Sequence, residues 1–194
     1  MTNYVLNRLS LKNTGPGFNE LINTFTKPEI TSGGIFNALI KMPEDLSGTE
    51  IPNLDYLLAN LENPIVDECY RWRASCRGTL EDIFKINIIY SSSEEFVIEF
   101  ETLFAPPILI YQEISEQYKE LSFFVAIWAP GCEMAQCLEY SPNVGCTYAH
   151  LECFLRDQTS AQQASIKLPS EIKAITKKFK DPLPHEFFKH GRFS

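Results

Sequence analysis

The sequence predicts an α+β fold: one antiparallel β-sheet with its helices on a single face. Three observations predict it. "IFKINIIY" and "FVIEFETLF" alternate with a period of two and are joined by the polar link "SSSEE", the pattern of a hairpin. Directly after the second run, Ala105-Pro106-Pro107 separates two stretches that both look like core, and the apolar spacing changes from that of a strand to that of a helix. A strand-like and a helix-like segment precede the hairpin, and strand-like segments follow the second helix.

The elements run as follows. "NYVLNRLSLKN" reads as a strand with Val5, Asn7, Leu9 and Leu11 on one side, and "NTGPG" reads as a turn. Phe18, Leu21, Ile22 and Phe25 fall at helical spacing, in a short helix that stops near Lys27-Pro28. "GGIFNALIKMPEDL" reads as an extended segment entering a proline-containing loop. "NLDYLLANLE" predicts a helix with Leu54, Leu57, Leu58 and Leu61 on one face, Asn53 as its cap and Pro64 as its limit. "PIVDECYRWRAS" predicts another, with Pro64 in its first turn and Cys69 and Cys76 sharing a face. In the hairpin, Phe96, Ile98, Phe100, Thr102 and Phe104 share one face, and Glu99 and Glu101 lie on the other, which is expected to be wet.

Proline suits the start of a helix, where its missing N–H loses no partner, and the residue before a proline is driven to extended backbone. Pro106-Pro107 therefore ends the strand and sets a helix that carries Tyr111, Ile114, Tyr118 and Leu121. "LSFFVAIWA" and "MAQCLEY" are strands around the turn "PGCE". The order is βαββαβ with one more strand, a ferredoxin-like sheet with helices on one face. It occupies residues 1–142, with 27–82 as an insertion after the first helix. Residues 143–194 form a C-terminal extension with a possible strand in "GCTYAHLECFLRD" and a short helix capped by Ser170.

Charge narrows the partners. The formal net charge is -8, but residues 151–194 hold eight Lys/Arg against five Asp/Glu, so residues 1–150 carry -11. An acidic body disfavours a phosphate backbone and suits a basic protein partner, or simply solubility. No apolar run reaches the ~20 residues that span a bilayer, and "MTNYVLNRLS" lacks the pattern of a signal peptide, so the expected location is the cytoplasm of a bacterial host, with reduced thiols.

Four constellations of residues bear on chemistry. Cys132, Cys137, Cys146, His150 and Cys153 loosely approach zinc-ligand spacing, but no C-x2-C pair exists and plain thiols are the better reading, so no metal or cofactor is expected. Nucleophilic catalysis needs a base beside Ser or Cys. Only His150, His185 and His190 are present, and no hydrolase or phosphate-binding motif occurs. Glu94 and Glu95 in the hairpin turn, with Glu99 and Glu101 beyond them, form either a solvated face or an acidic surface for a basic enzyme. "YRWRASCRGT" is the one basic-aromatic cluster of the body. Arg71, Trp72, Arg73, Arg77, Gly78 and Thr79 either present a partner site, or the arginines pair with the body's own carboxylates while Trp72 packs on the sheet.

Three stretches carry a family resemblance over residues 4–142: Asn7-x-Leu9-x-Leu11 with the later "FNALIKMPEDL"; Gly78-Thr79 after a Trp/Arg-rich segment; and "FETLFAPP" running into a helix. In these the chain resembles the YubB-type ferredoxin-like domain family of plasmid- and phage-borne proteins. Arg77 stands where that family has an aromatic residue, Phe104-Ala105 where it has Trp-Ser, and Lys41 where it has the first proline of its Pro-Met-Pro stretch. The resemblance implies no chemistry. It implies a mobile-element context, among accessory and anti-host functions. The expected function is a non-enzymatic protein that binds a host protein, such as an inhibitor of a CRISPR or restriction defence system. The alternatives are a nucleic-acid-binding accessory protein and an enzyme acting on a small nucleotide-like ligand.

Overall fold

The computed structural model describes residues 4–27, 34–49, 54–103, 105–129, 134–142 and 145–150. Along the chain come β1 (Tyr4–Lys12), α1 (Gly17–Thr26), α2 (Ile35–Leu39), α3 (Leu54–Ala59), α4 (Pro64–Cys76), β2 (Phe84–Ser91), β3 (Glu95–Leu103), α5 (Ile108–Gln117), β4 (Ser122–Ala129), β5 (Met134–Ser141) and β6 (Gly145–His150). The strands form a six-stranded sheet in the order β2-β3-β1-β4-β5-β6, every neighbouring pair antiparallel. The first four have the interleaved order of two split β-α-β units, which is the ferredoxin-like arrangement. β5 and β6 extend that sheet beyond β4. No helix among the described residues is long and apolar enough to cross a membrane.

Alternation in β1, β3 and β4 builds the core. The register sets Leu9 opposite Ile98 on one side and Val125 on the other. Val5, Leu9, Leu11, Phe96, Ile98, Phe100, Phe123, Val125 and Ile127 line one face, and Phe18, Leu21 and Phe25 of α1, Ile35, Phe36 and Leu39 of α2, and Ile110, Tyr111 and Ile114 of α5 pack on them. Phe25 stacks on Phe100 at 6.2 Å between ring centres, and Phe123 on Tyr140 at 4.5 Å.

One polar group is buried within this apolar layer. Asn7 is fully buried. Its amide donates to the Val5 carbonyl (3.0 Å) and to Thr102 Oγ1 (3.1 Å), and its Oδ1 accepts from the Tyr111 hydroxyl (2.9 Å). Thr102 in turn donates to the Ala105 carbonyl at 2.9 Å. The prolines follow at once. Pro107 occupies the cap position of α5, and its carbonyl accepts from Tyr111 N–H at 3.2 Å. Pro106 and Pro107 thus precede the helix rather than fill its first turn, and α5 ends at Gln117, before Tyr118 and Leu121.

Several expectations are corrected. The face of Glu99 and Glu101 is not wet: Glu95 is 2% and Glu101 7% exposed, alongside buried Arg8, Val97, Phe124 and Cys137. Its acids are matched by cations on adjacent strands, Arg8 to Glu99 at 3.0 Å directly across the β1–β3 register and Lys85 to Glu101 at 3.0 Å. Glu95 is accordingly the first residue of β3 rather than part of a turn. Residues 35–39, read as extended, are helix α2. Helix α3 is only six residues long: Leu57 turns inward, whereas Leu58 and Leu61 are exposed, because the chain turns at Asn60 (Asn60 N–H to Leu57 carbonyl, 3.1 Å) instead of continuing the helix. Asn53, the "PGCE" turn and the helix at Ser170 lie outside the described residues.

Tyr111→Phe leaves Asn7 Oδ1 buried without its donor and is expected to lower stability by about 1–3 kcal/mol in urea unfolding, with the sheet intact. A smaller loss than that of an exposed control such as Ser115→Ala would show the bond to be immaterial. Burial also holds the Tyr111 hydroxyl well above its ordinary value. Its contribution is therefore fully present below the unfolded value of about 10 and is lost as pH rises beyond it. Alkaline unfolding should be shallower in Tyr111→Phe than in the native chain.

Candidate functional site

The basic-aromatic segment lies on α4 and the loop after it. Asn63 caps α4 locally, its Oδ1 accepting from Ile65 N–H (3.1 Å), and Pro64 takes the first helical position. The helix ends at Gly78, whose φ of +78° is the left-handed conformation that ends helices. Arg71 is exposed and pairs with Asp67 one turn earlier at 2.9 Å. The next two arginines point inward. Arg73 donates to the carbonyls of Leu80 and Thr49, each at 2.9 Å. Arg77 donates to Asn37 Oδ1 (3.1 Å) and the Ile40 carbonyl (3.0 Å), with its guanidinium 4.9 Å from the centre of the Trp72 ring. Burial lowers the Arg77 pKa to about 10, opposed by nearby Asp82 and assisted by Arg73.

Asp82 completes the cluster. Its carboxylate accepts from Phe36 N–H (3.1 Å) and from Ile83 N–H (2.7 Å). The cap position of helix α2 is Gly34, which has no side chain to cap it, so the Asp82 carboxylate, 46 positions beyond Phe36, satisfies that residue's orphaned donor. Gly34 has a φ of +90°, and a Cβ there would sit 1.6 Å from Asp82 Oδ2. On the other side, Thr79 donates to the Leu103 carbonyl (3.0 Å), and Gly78 packs against the backbone of Pro106 and Ile108.

These positions revise the predicted site. Of its ten residues, Arg71 and Glu94 are exposed; Trp72, Arg73, Gly78 and Glu99 are half-buried; Arg77, Thr79, Glu95 and Glu101 are buried. Nor do they form one surface, since Thr79 meets the Leu103 end of β3 while Glu94 and Glu95 stand at its other end, roughly 25 Å away at strand rise. Of the three arginines only Arg71 pairs with a carboxylate among the described residues, while Arg73 and Arg77 are engaged internally with backbone carbonyls and Asn37 Oδ1 instead. Trp72 packs beside a second small core of Met42, Leu46, Leu57, Val66 and Cys69 rather than on the sheet. The segment fastens the insertion to the sheet.

Cys132 and Cys153 lie outside the described residues. Cys137 pairs with Ala149, one register step from His150 and three from Cys146, and burial pushes its thiol up to about 12. Among the described residues no three of His, Cys, Asp and Glu come together as a metal site.

Sequence reasoning missed the exposed apolar side chains. The eight large ones among the described residues are Tyr4, Tyr56, Leu58, Leu61, Ile65, Ile86, Ile88 and Tyr90. The available signal was an excess of apolar residues in "NLDYLLANLENPI", more than a six-residue helix can bury on one side.

No family model matches the chain, and no curated protein matches it in sequence. Among solved structures, the crystal structure of the protein api92 from Yersinia pseudotuberculosis, described with the family model DUF1281, is similar at 8% identity and a TM-score of 0.50, covering 77% of this chain and 98% of that one. At that identity the likeness concerns the fold alone.

Gly34→Ala is expected to cost more stability than Gly78→Ala. Both force a side chain into left-handed backbone, worth about 1 kcal/mol, but only Gly34 also collides with Asp82. Equal losses in thermal unfolding would refute the close approach. Burial also raises the Asp82 pKa, against the bonds from Ile83 and Phe36 and the charges of Arg77 and Arg73. The contribution of this carboxyl is fully present below the unfolded value of about 3.9 and declines as pH rises through the higher folded value. Asp82→Asn keeps an acceptor without the charge and should remove the decline that sets in above the unfolded value in urea unfolding. Asp82→Ala should lose about 1 kcal/mol from the uncapped α2.

Proposed function

We propose that the chain is a non-enzymatic protein-binding protein, an accessory factor of a phage or plasmid that engages a protein in the host cytoplasm and inhibits a host defence system. One observation carries the binding role: the exposed large apolar side chains fall in two places. Tyr56, Leu58, Leu61 and Ile65 lie on the α3–α4 corner. Ile86, Ile88 and Tyr90 lie on the outer strand β2, with Tyr4 near its start, 5.1 Å from Lys85 Nζ. Apolar residues scattered singly over a surface are ordinary, whereas clustered ones mark interfaces.

Two further points support the reading. The charged groups of residues 71–82 are largely engaged in fastening the insertion, which suits binding better than catalysis. The charge of -11 over residues 1–150 suits a basic protein partner better than nucleic acid. The mobile-element setting rests on the resemblance to the YubB-type family. Its three segments converge at the β3–α5 junction, where Asn7, Thr79 and Thr102 bond within a few residues of Pro106.

The test is capture from bacterial host lysate with the purified chain, beside Leu58→Asp/Ile65→Asp and Ile86→Asp/Ile88→Asp variants that retain native circular dichroism. One host protein should be held stoichiometrically and lost by roughly tenfold or more in one of the two variants. Recovery of no stoichiometric partner, or of one held equally by both variants, refutes the proposal.

A further inference from the structure

We infer that the α3–α4 corner is the docking surface and that its partner is a basic amphipathic helix of another protein. The inference rests on the protein-binding reading and gives it a place and a chemistry.

The corner is a built feature. Leu57 is 2% exposed and anchors it in the second small core with Val66 and Cys69. Asn60 donates its side-chain amide to the Tyr56 carbonyl at 2.8 Å, and Asn63 caps the helix that follows. With that core already filled, Leu58 (58% exposed) and Ile65 (54%) still face solvent. Along α4 the exposed positions Ile65, Glu68 and Arg71 follow an i±3 ridge of the kind against which another helix packs.

The charges around it are one-sided. Glu62 and Glu68 are exposed and have no ion pair among the described residues. Arg71 on α4 is already engaged with Asp67 at 2.9 Å, and Lys41 with Glu44 at 3.8 Å. An apolar ridge with unneutralised acids is complementary to a helix with one apolar and one basic face. It disfavours the anionic surface of a membrane. β2, the other apolar patch, is guarded as edge strands are: its pairing with β3 shifts register twice, and Lys85 stands out from it at a φ of +49°.

The probe is a synthetic Leu/Lys amphipathic helical peptide, with its Leu/Glu counterpart, titrated into the isotope-labelled full chain and followed by amide shifts. The basic peptide should bind saturably with shifts centred on residues 56–68, and the acidic one should not bind. Leu58→Asp/Ile65→Asp should abolish binding. Glu62→Lys/Glu68→Lys should weaken it roughly tenfold, and Glu113→Lys/Glu116→Lys, the same charge change on α5, should weaken it far less. Equal weakening by the α5 variant would reduce the effect to net charge and overturn the inference. So would shifts centred on β2, or co-sedimentation with phosphatidylserine vesicles in place of peptide binding. A host partner lost only in Ile86→Asp/Ile88→Asp would sink this inference and leave the protein-binding function standing. Saturable peptide binding at the corner with no host partner recovered would do the reverse.

Discussion

The side chain of Asn7 lies fully buried between β3 and α5, with three of its four hydrogen-bonding positions taken by Val5, Thr102 and Tyr111. An amide in an apolar layer is costly unless it is bonded, so this network tolerates few arrangements of the elements that supply its partners. β1 must sit beside β3 in one register, Tyr111 must arrive on α5 at one height, and Thr102 must close on Ala105 just where the strand ends. The proline pair then aims α5 back across the sheet. Apolar burial supplies most of the stability of such a core, but it is non-directional. The directional constraint at this point is the Asn7 network.

A second constraint acts on the helices. α1 and α2 are too short to be stable in isolation, and neither carries its own side-chain cap. Glu120, from just before β4, accepts from Gly17 N–H at 3.1 Å, and Asp82, from just before β2, accepts from Phe36 N–H. Each helix therefore starts where a distant part of the chain brings a carboxylate. Arg73 and Arg77 extend the same logic to the insertion by satisfying carbonyls at Leu80, Thr49 and Ile40. The insertion, the helical layer and the end of β3 are joined through charged groups that are partly or wholly removed from water. Arg77 and Asp82 have shifted affinities for protons because this structure buries them.

This division of labour reshapes the functional reading. The segments that stand out in the sequence, the Asn7 strand start, the Gly78-Thr79 turn and the Thr102 to Pro107 junction, converge on one buried place and hold the scaffold together. The large apolar side chains left exposed lie elsewhere, at the α3–α4 corner and on β2. Binding is read from which apolar side chains remain outside after two cores have formed, and from which acids remain without a cation.

Local pattern was enough to read the sheet-and-helix class, the hairpin, α1, α4 and the switch at Pro106, because alternation and helical spacing act over a few residues. The inward faces of β1 and β3 were legible for the same reason. What the pattern left open was decided by contacts between distant residues. α2 became a helix because Asp82 caps it across 46 positions. The Glu99 and Glu101 face is buried rather than wet, and Arg8 and Lys85 meet its acids from neighbouring strands. Arg77 turned inward because Asn37 and Ile40 offer acceptors there. Leu58 and Leu61 stayed outside because the chain turns at Asn60 and the small core beneath is filled by Leu57. Periodicity states which residues share a face, but only the tertiary structure decides what meets that face, since that depends on pairings between parts of the chain that no local spacing records.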